Sequence, residues 1–153
     1  MKAIELVLVD IDGTLLNDQG MVTPKTIEAI KKLKDKQILF GIATGRTPFA
    51  VKHLIKKWEI EPYVDVIMGF NGGCYLDMRT QKMSSCYLLD GKYIPVILEA
   101  FQEFDFNAGI YDQESFHVLK EDHFAIEIAN KNQLPLVVDG LTPYYLSLIH
   151  ISE

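Results

Sequence analysis

The chain has 153 residues, of which 48% are hydrophobic and 24% are charged, and its formal net charge is -6. This composition is typical of an ordinary globular protein of about one domain. The acidic balance argues against a broad basic surface, so we expect neither nucleic acid nor a membrane as a partner. No apolar stretch approaches the roughly 18 residues of a membrane span, and Glu5 and Asp10 interrupt the segment where a signal peptide needs apolar residues. We therefore predict a cytoplasmic protein.

The first 73 residues alternate apolar strands with helices. Thr23-Pro24 and Thr47-Pro48 each place a capping residue before the residue type favoured at the first helical position. The predicted elements are a strand ending at residue 9, a helix over 24–35, a strand over 38–43, a helix over 48–59 and a strand over 64–68. Strands separated by helices in this way predict a parallel sheet with right-handed crossovers.

From residue 74 the pattern changes to a mixture of hairpins and a helix. The sequence predicts a hairpin of 74–77 with 82–88, a helix over 94–104 and a second hairpin of 108–111 with 116–119. This α+β region is expected to begin a separate lobe. We therefore place the domain boundaries at 1–73, 74–145 and 146–153, the last being an irregular or foreign tail.

Two carboxylates follow the first predicted strand. Asp10 and Asp12 lie two residues apart, so on an extended backbone their side chains point to the same side, at a strand end where catalytic groups are common. Like charges this close need a shared proton or a cation, and Mg²⁺ with a phosphorylated substrate meets that need. A calcium loop is disfavoured, because Leu15 and Met21 stand where that pattern needs Gly and Glu.

Three motifs, taken in order and at these separations, resemble the haloacid dehalogenase-like phosphatases, and specifically the Cof-type branch with a large α/β cap domain. The motifs are Asp10-Ile11-Asp12-Gly13-Thr14, Ala43-Thr44-Gly45-Arg46 and Phe70-Asn71-Gly72-Gly73. The resemblance implies an α/β fold class, with a partial Rossmann-like three-layer core built on a parallel sheet and the beginning of an α+β cap domain.

The resemblance also implies roles for the two aspartates. Asp10 would attack phosphorus and form an aspartyl-phosphate that water then hydrolyses. Asp12 would protonate the leaving alcohol and later accept a proton from water. Both would contribute to a Mg²⁺ site, Asp12 through its backbone carbonyl.

The other two motifs are expected to hold the substrate. Thr44 and the backbone N–H of Gly45 would bind phosphate oxygens, and Arg46 would contact the substrate through its planar set of donors. Asn71 and Gly72 would line the same cleft. Each of these residues also has a structural interpretation, since threonine can cap a strand end, arginine is common at surfaces and Asn-Gly is a turn signal in any protein.

The function implied is that of a Mg²⁺-dependent phosphatase acting on small phosphate monoesters, such as sugar phosphates or phosphorylated cofactors. Full-length relatives carry a later lysine and a Gly-Asp-x-x-Asn-Asp type segment, and neither occurs in this chain. Two alternatives therefore stay open: a catalytically incomplete fragment with weak Mg²⁺ or phosphate binding, and a phosphomutase that transfers the phosphoryl group to a second hydroxyl. This chain alone is expected to be inactive or impaired.

Two further expectations concern the rest of the chain. Residues 146–153 resemble a peptide translated from sequencing-adapter read-through. If later strands are missing beside the first strand, its exposed edge would promote self-association. We interpret His117 and His123 as surface side chains rather than as a metal site.

Overall fold

The computed structural model describes residues 3–112, 115–145 and 148–149. The chain forms two compact units, Met1–Ser85 and Cys86–Glu153. The two compact units divide after Ser85, and the domain boundary expected after residue 73 stays a prediction. The first unit extends to Ser85 because the hairpin that begins at Cys74 hydrogen-bonds to the preceding strand and continues its sheet. The interpretation of the two units as core and cap domain stays a prediction.

A five-stranded sheet forms the centre of the first unit. Its strands, in spatial order, are β1 (Leu6–Val9), β2 (Leu39–Ala43), β3 (Val66–Gly69), β4 (Cys74–Asp77) and β5 (Lys82–Ser85). The first three are parallel, and β4 and β5 join them as an antiparallel hairpin. The predicted α/β fold with a parallel sheet is therefore confirmed.

Two helices of the first unit begin at the capping residues that the sequence identified. In α1 (Pro24–Asp35) the Thr23 side chain accepts from the Thr26 N–H at 3.1 Å. In α2 (Pro48–Lys57) the cap is Thr47, which is fully buried. Because these caps depend only on neighbouring residues, both helix starts were predictable from sequence.

The core of the first unit contains residues from the sheet and from α2. Ile42 of β2 and Ile67 of β3 are completely buried, as are Val51 and Ile55 of α2. Trp58, the one tryptophan of the chain, belongs to the same cluster and is 5% exposed. Each such side chain contributes about 1.5–3 kcal/mol through apolar burial, so β2, β3 and α2 are firmly held together.

Strand β1 is much less covered than its neighbours. It pairs with β2 on one side, and among the described residues no strand pairs with its other side. Leu6 is 43% exposed and Leu8 is 38% exposed. The exposed strand edge expected from the sequence is therefore present in the described part of the chain.

The second unit combines small sheets with helices. Its elements are β6 (Leu89–Asp90), α3 (Ile94–Ala100), β7 (Gly109–Tyr111), β8 (Phe116–Val118), α4 (His123–Asn132), β9 (Leu136–Val138) and β10 (Leu148–Ile149). The predicted hairpin of β7 and β8 is confirmed, and β9 pairs with β8 in parallel. Helix α3 is shorter than predicted, since it ends at Ala100.

The predicted tail can be followed only in part. Strand β10 pairs with β6 in antiparallel fashion, whereas residues 146–147 and 150–153 lie outside the described residues. Within the described ranges, the helices are too short or too polar to cross a membrane.

Candidate active site

The carboxyl ends of the three parallel strands bring the predicted motifs together. Val9 of β1 lies opposite Ile42 of β2, and Ala43 of β2 lies opposite Met68 of β3. The residues that follow these strands therefore meet at one edge of the sheet, which is where ligands bind in open α/β folds.

An open cavity of about 330 Å³ lies at this edge. Five of the seven predicted site residues line it: Asp10, Thr44, Gly45, Asn71 and Gly72. The cavity combines an exposed carboxylate with a nearly buried hydroxyl, since Thr44 is 7% exposed. The structure thus brings the aspartate after β1 next to the predicted phosphate-binding turn.

The turn after β2 is fixed by hydrogen bonds to the turn after β3. Thr44 N–H donates to the Met68 carbonyl at 2.9 Å, and the Thr44 carbonyl accepts from Asn71 N–H at 3.2 Å. The Arg46 carbonyl accepts from Phe70 N–H at 3.1 Å. The Thr44 hydroxyl accepts from the Arg46 N–H at 3.3 Å, which leaves its own hydrogen able to donate to a further acceptor.

The turn after β3 has an unusual backbone. Phe70, Asn71 and Gly72 have φ values of 50°, 51° and 95°, so three consecutive residues are left-handed. Such a conformation is costly for phenylalanine, about 1–3 kcal/mol, and persists only where surrounding contacts enforce it. Strain of this kind is often found at functional sites. Here it brings the Asn71 side chain close to Gly45, where a Cβ would lie 2.9 Å from Asn71 Oδ1.

Asp12 and Arg46 do not line the cavity but bind each other. Arg46 Nη2 donates to Asp12 Oδ1 at 2.9 Å and to Oδ2 at 3.1 Å, and Arg46 Nε lies 3.3 Å from Oδ2. The Arg46 side chain is 11% exposed and that of Asp12 is 54% exposed. Sequence reasoning identified both residues but missed this pair, because 34 positions separate them.

The donor set bears on the expected magnesium site. Within residues 3–112, 115–145 and 148–149, no group of three or more His, Cys, Asp or Glu side chains could hold a metal ion. Mg²⁺ is commonly held by one or two carboxylates, with water and substrate phosphate completing its shell. Asp10 at the cavity fits that smaller requirement, whereas the Asp12 carboxylate is already engaged by Arg46.

One prediction about the second unit was wrong. His117 is not a surface side chain, since it is 12% exposed. Its Nδ1 lies 2.7 Å from Asp139 Oδ2, and its Nε2 lies 2.9 Å from the Ser115 hydroxyl. Burial, followed by the nearby Asp112 carboxylate, raises the pKa of Tyr144, so its hydroxyl stays protonated and donates to Asp112 Oδ2 at 3.2 Å. This polar network connects the strand ends of the second unit.

The family model for haloacid dehalogenase-like hydrolases matches residues 7–139. The chain belongs to this family. It is 32% identical over 138 residues to the 5-amino-6-(5-phospho-D-ribitylamino)uracil phosphatase YwtE of Bacillus subtilis, covering 90% of this chain and 43% of that protein.

Solved structures agree with the assignment to the haloacid dehalogenase-like hydrolases. A phosphatase of this superfamily from Bacteroides thetaiotaomicron is 28% identical with a TM-score of 0.68, and the match covers 89% of this chain and 50% of that one. A haloacid dehalogenase-like hydrolase from the same organism has a TM-score of 0.81 at 20% identity, covering 95% of this chain and 56% of that one, and shows the shared fold. This chain spans about half the length, or less, of these relatives.

Proposed function

We propose that this chain carries the nucleophile and the phosphate-binding turn of a Mg²⁺-dependent phosphatase that hydrolyses small phosphate monoesters. The observation that carries the proposal is the cavity at the strand ends, where Asp10 lies with Thr44 and Gly45. A carboxylate beside a hydroxyl and a backbone N–H combines a nucleophile with donors for phosphate oxygens. Family membership and the phosphatase YwtE support the same reaction class.

The chemistry assigns a separate role to each aspartate. A carboxylate oxygen of Asp10 attacks phosphorus, the bond from phosphorus to the leaving oxygen breaks, and Asp12 gives that oxygen a proton. Water then attacks phosphorus, Asp12 accepts a proton from it, and the bond to Asp10 breaks with release of orthophosphate.

The turns after β2 and β3 would hold the phosphate. The Thr44 hydroxyl and the Gly45 N–H would donate to its oxygens, and Asn71 and Gly72 would complete the wall of the cavity. A bound Mg²⁺ would neutralise phosphate oxygens, held by the Asp10 carboxylate and the backbone carbonyl of Asp12.

The substrate class is inferred from chemistry and from one relative. The Thr44 hydroxyl and the Gly45 N–H at the cavity favour a phosphate group as the part of the substrate that is bound here. Sugar phosphates and phosphorylated cofactors or their precursors are the substrates that we propose, and the name of YwtE gives one such precursor for that protein.

Substitution of the nucleophile tests the proposal. In the protein as its gene encodes it, we expect Asp10→Asn to reduce Mg²⁺-dependent phosphate release to background, because an amide cannot form the acyl phosphate. Asp18→Asn is the matched control, since Asp18 lies in the same unit but does not line the cavity. Full activity in Asp10→Asn would refute the mechanism.

The same assay separates the alternatives. Orthophosphate binding without turnover in the wild type would identify a catalytically incomplete chain. Appearance of a second phosphate ester instead of orthophosphate would identify a phosphomutase.

A further inference from the structure

We propose that Arg46 is a positioning residue for Asp12 rather than a ligand of the substrate phosphate. This inference rests on the proposed function, because it concerns the residue that would move the proton in that reaction.

The geometry of the guanidinium carries the first step. Arg46 uses Nη2 and Nε to contact both oxygens of Asp12, at distances between 2.9 and 3.3 Å. Such an edge of a guanidinium binds a carboxylate or a phosphate through two parallel bonds, and here it is used by Asp12. It cannot face Asp12 and a phosphate at the same time. Moreover, Arg46 is absent from the residues that line the cavity at Asp10 and Thr44.

The backbone around Arg46 makes it a rigid support. Its N–H donates to the Thr44 hydroxyl, and its carbonyl accepts from Phe70 N–H. The next residue, Thr47, is the buried cap of α2. Since the Arg46 side chain is also 11% exposed, little further conformational freedom is lost when it binds a partner.

Asp12, in contrast, has an exposed side chain on a loop, so a contact is needed to fix its orientation. Its side chain is 54% exposed, and it precedes Gly13, which has a φ of 76° in the loop after β1. In the described part of the chain, the hydrogen bonds to its carboxylate come from Arg46. A proton donor must be held within hydrogen-bond reach of the leaving oxygen, and Arg46 restricts Asp12 to one orientation.

The pairing can be tested without turnover. The chain has two arginines, and each binds an aspartate: Arg46 binds Asp12, and Arg79 binds Asp77. Two Nε–H signals are therefore expected in an NMR spectrum of the arginine side chains. Asp12→Asn should move the Arg46 signal only, and Asp77→Asn should move the Arg79 signal only. If Asp12→Asn leaves the Arg46 signal in place, the inference is overturned.

Titration with orthophosphate in the presence of Mg²⁺ distinguishes positioning from substrate binding. We expect the backbone amide signals of Thr44 and Gly45 to shift while the Arg46 Nε–H signal stays. Movement of the Arg46 signal with the same saturation curve would make it a phosphate ligand and overturn the inference. If no amide shifts at any concentration, the proposed function fails, and the Asp12→Asn spectrum alone decides the pairing.

Kinetics give a third readout where the encoded protein turns over. Arg46→Gln should lower kcat on an alkyl phosphate by roughly 10- to 100-fold, below the roughly 10²–10⁴-fold that general acid–base catalysis supplies, with KM nearly unchanged. The loss should be smaller on an aryl phosphate, whose leaving group needs no proton. In the double variant, the loss of kcat caused by Arg46→Gln should not add to the loss caused by Asp12→Asn. Arg79→Gln is the control, and a rise in KM with equal losses on both esters would contradict positioning.

Discussion

Gly45, in the turn after β2, lies against the Asn71 side chain of the turn after β3. A methyl group at this position would meet Asn71 Oδ1 at 2.9 Å, and that atom is the end of a flexible side chain. The site can therefore accommodate a larger residue at position 45, but only by moving the Asn71 amide out of the cavity wall. We therefore expect a substitution at Gly45 to affect ligand binding more than folding.

The first prediction follows from this contact. Gly45→Ala should weaken orthophosphate binding by about tenfold, the equivalent of one lost hydrogen bond, while the free energy of unfolding changes little. Titration calorimetry and chemical denaturation measure the two quantities. Asn71→Gly is the companion variant, because glycine tolerates the φ of 51° at this position. If the two losses add fully, displacement of Asn71 is not the cause.

At the scale of residues, the sequence predicted that the three motifs lie together, but it did not predict the ion pair between Asp12 and Arg46. Asp10 and Thr44 each follow a parallel strand directly, so their proximity follows from topology. The contact of Asp12 with Arg46 also depends on the path of two loops and on the long arginine side chain. Nothing in a spacing of 34 residues encodes that path.

Helix α2 follows the predicted phosphate-binding turn directly, and its first residues are fixed by a cap. Thr47 begins α2 one residue after Arg46, and its side chain accepts from the Ala50 N–H at 3.0 Å. Thr23 makes the same contact at the start of α1. The two caps share a local geometry but differ in their distance along the chain from the phosphate-binding turn.

We expect Thr47→Ala and Thr23→Ala each to lower the free energy of unfolding by about 1 kcal/mol, because each leaves a helix N–H without its partner. Chemical denaturation followed by circular dichroism measures this loss. Only Thr47→Ala should also weaken orthophosphate binding. Equal binding losses in both variants would show that general destabilisation, rather than the turn, is responsible.

The cap of α4 gives a pH dependence. Hydrogen bonds from the Ala125 N–H, and then from the Asn107 side chain, lower the pKa of Asp122 from its usual 3.8. The unfolded chain therefore binds this proton more readily than the folded one. The stabilisation is complete above the usual pKa and is lost as the pH falls through the lowered value.

Asp122→Ala should accordingly lower the Tm at neutral pH, and its difference from the wild type should shrink as the pH falls below about 4. Thermal unfolding at a series of pH values measures this. Glu103→Ala, an exposed change in the same unit, is the control. A difference that persists unchanged in acid would contradict the assignment.

Helix α4 itself shows why part of the second unit was not predicted. Its buried positions are Ala125, Ala129 and Asn132, which are small or polar, whereas Phe124 is 71% exposed. The face of α4 that packs is therefore not its most hydrophobic face. The spacing of the large apolar residues consequently does not predict this helix. Helices α1 and α2 were predicted because a Thr-Pro pair marks where each begins, whereas α4 follows an aspartate cap without a proline.

For the whole molecule, the exposed edge of β1 bears on self-association. Leu6 and Leu8 lie on a strand whose second edge has no partner among the described residues. Unpaired strand edges template pairing with other chains. We propose self-association of this chain through β1. A cytoplasmic location likewise remains a prediction from the sequence.

Leu8→Lys should shift the mass measured by light scattering toward the monomer, because a charge on an edge strand opposes pairing. Met83→Lys is the matched control on β5, the opposite edge of the same sheet. A wild-type chain that stays monomeric at high concentration would refute self-association through β1.

The position of Trp58 has a practical consequence for measurements on this two-unit chain. The residue is unique and lies in the core of the first unit, so its intrinsic fluorescence reports the melting of that unit alone. Tyrosine emission and far-ultraviolet signals sample both units. If the denaturation curve from tryptophan fluorescence coincides with the far-ultraviolet curve, the two units unfold cooperatively. If the two curves differ, an intermediate with one unit folded is populated.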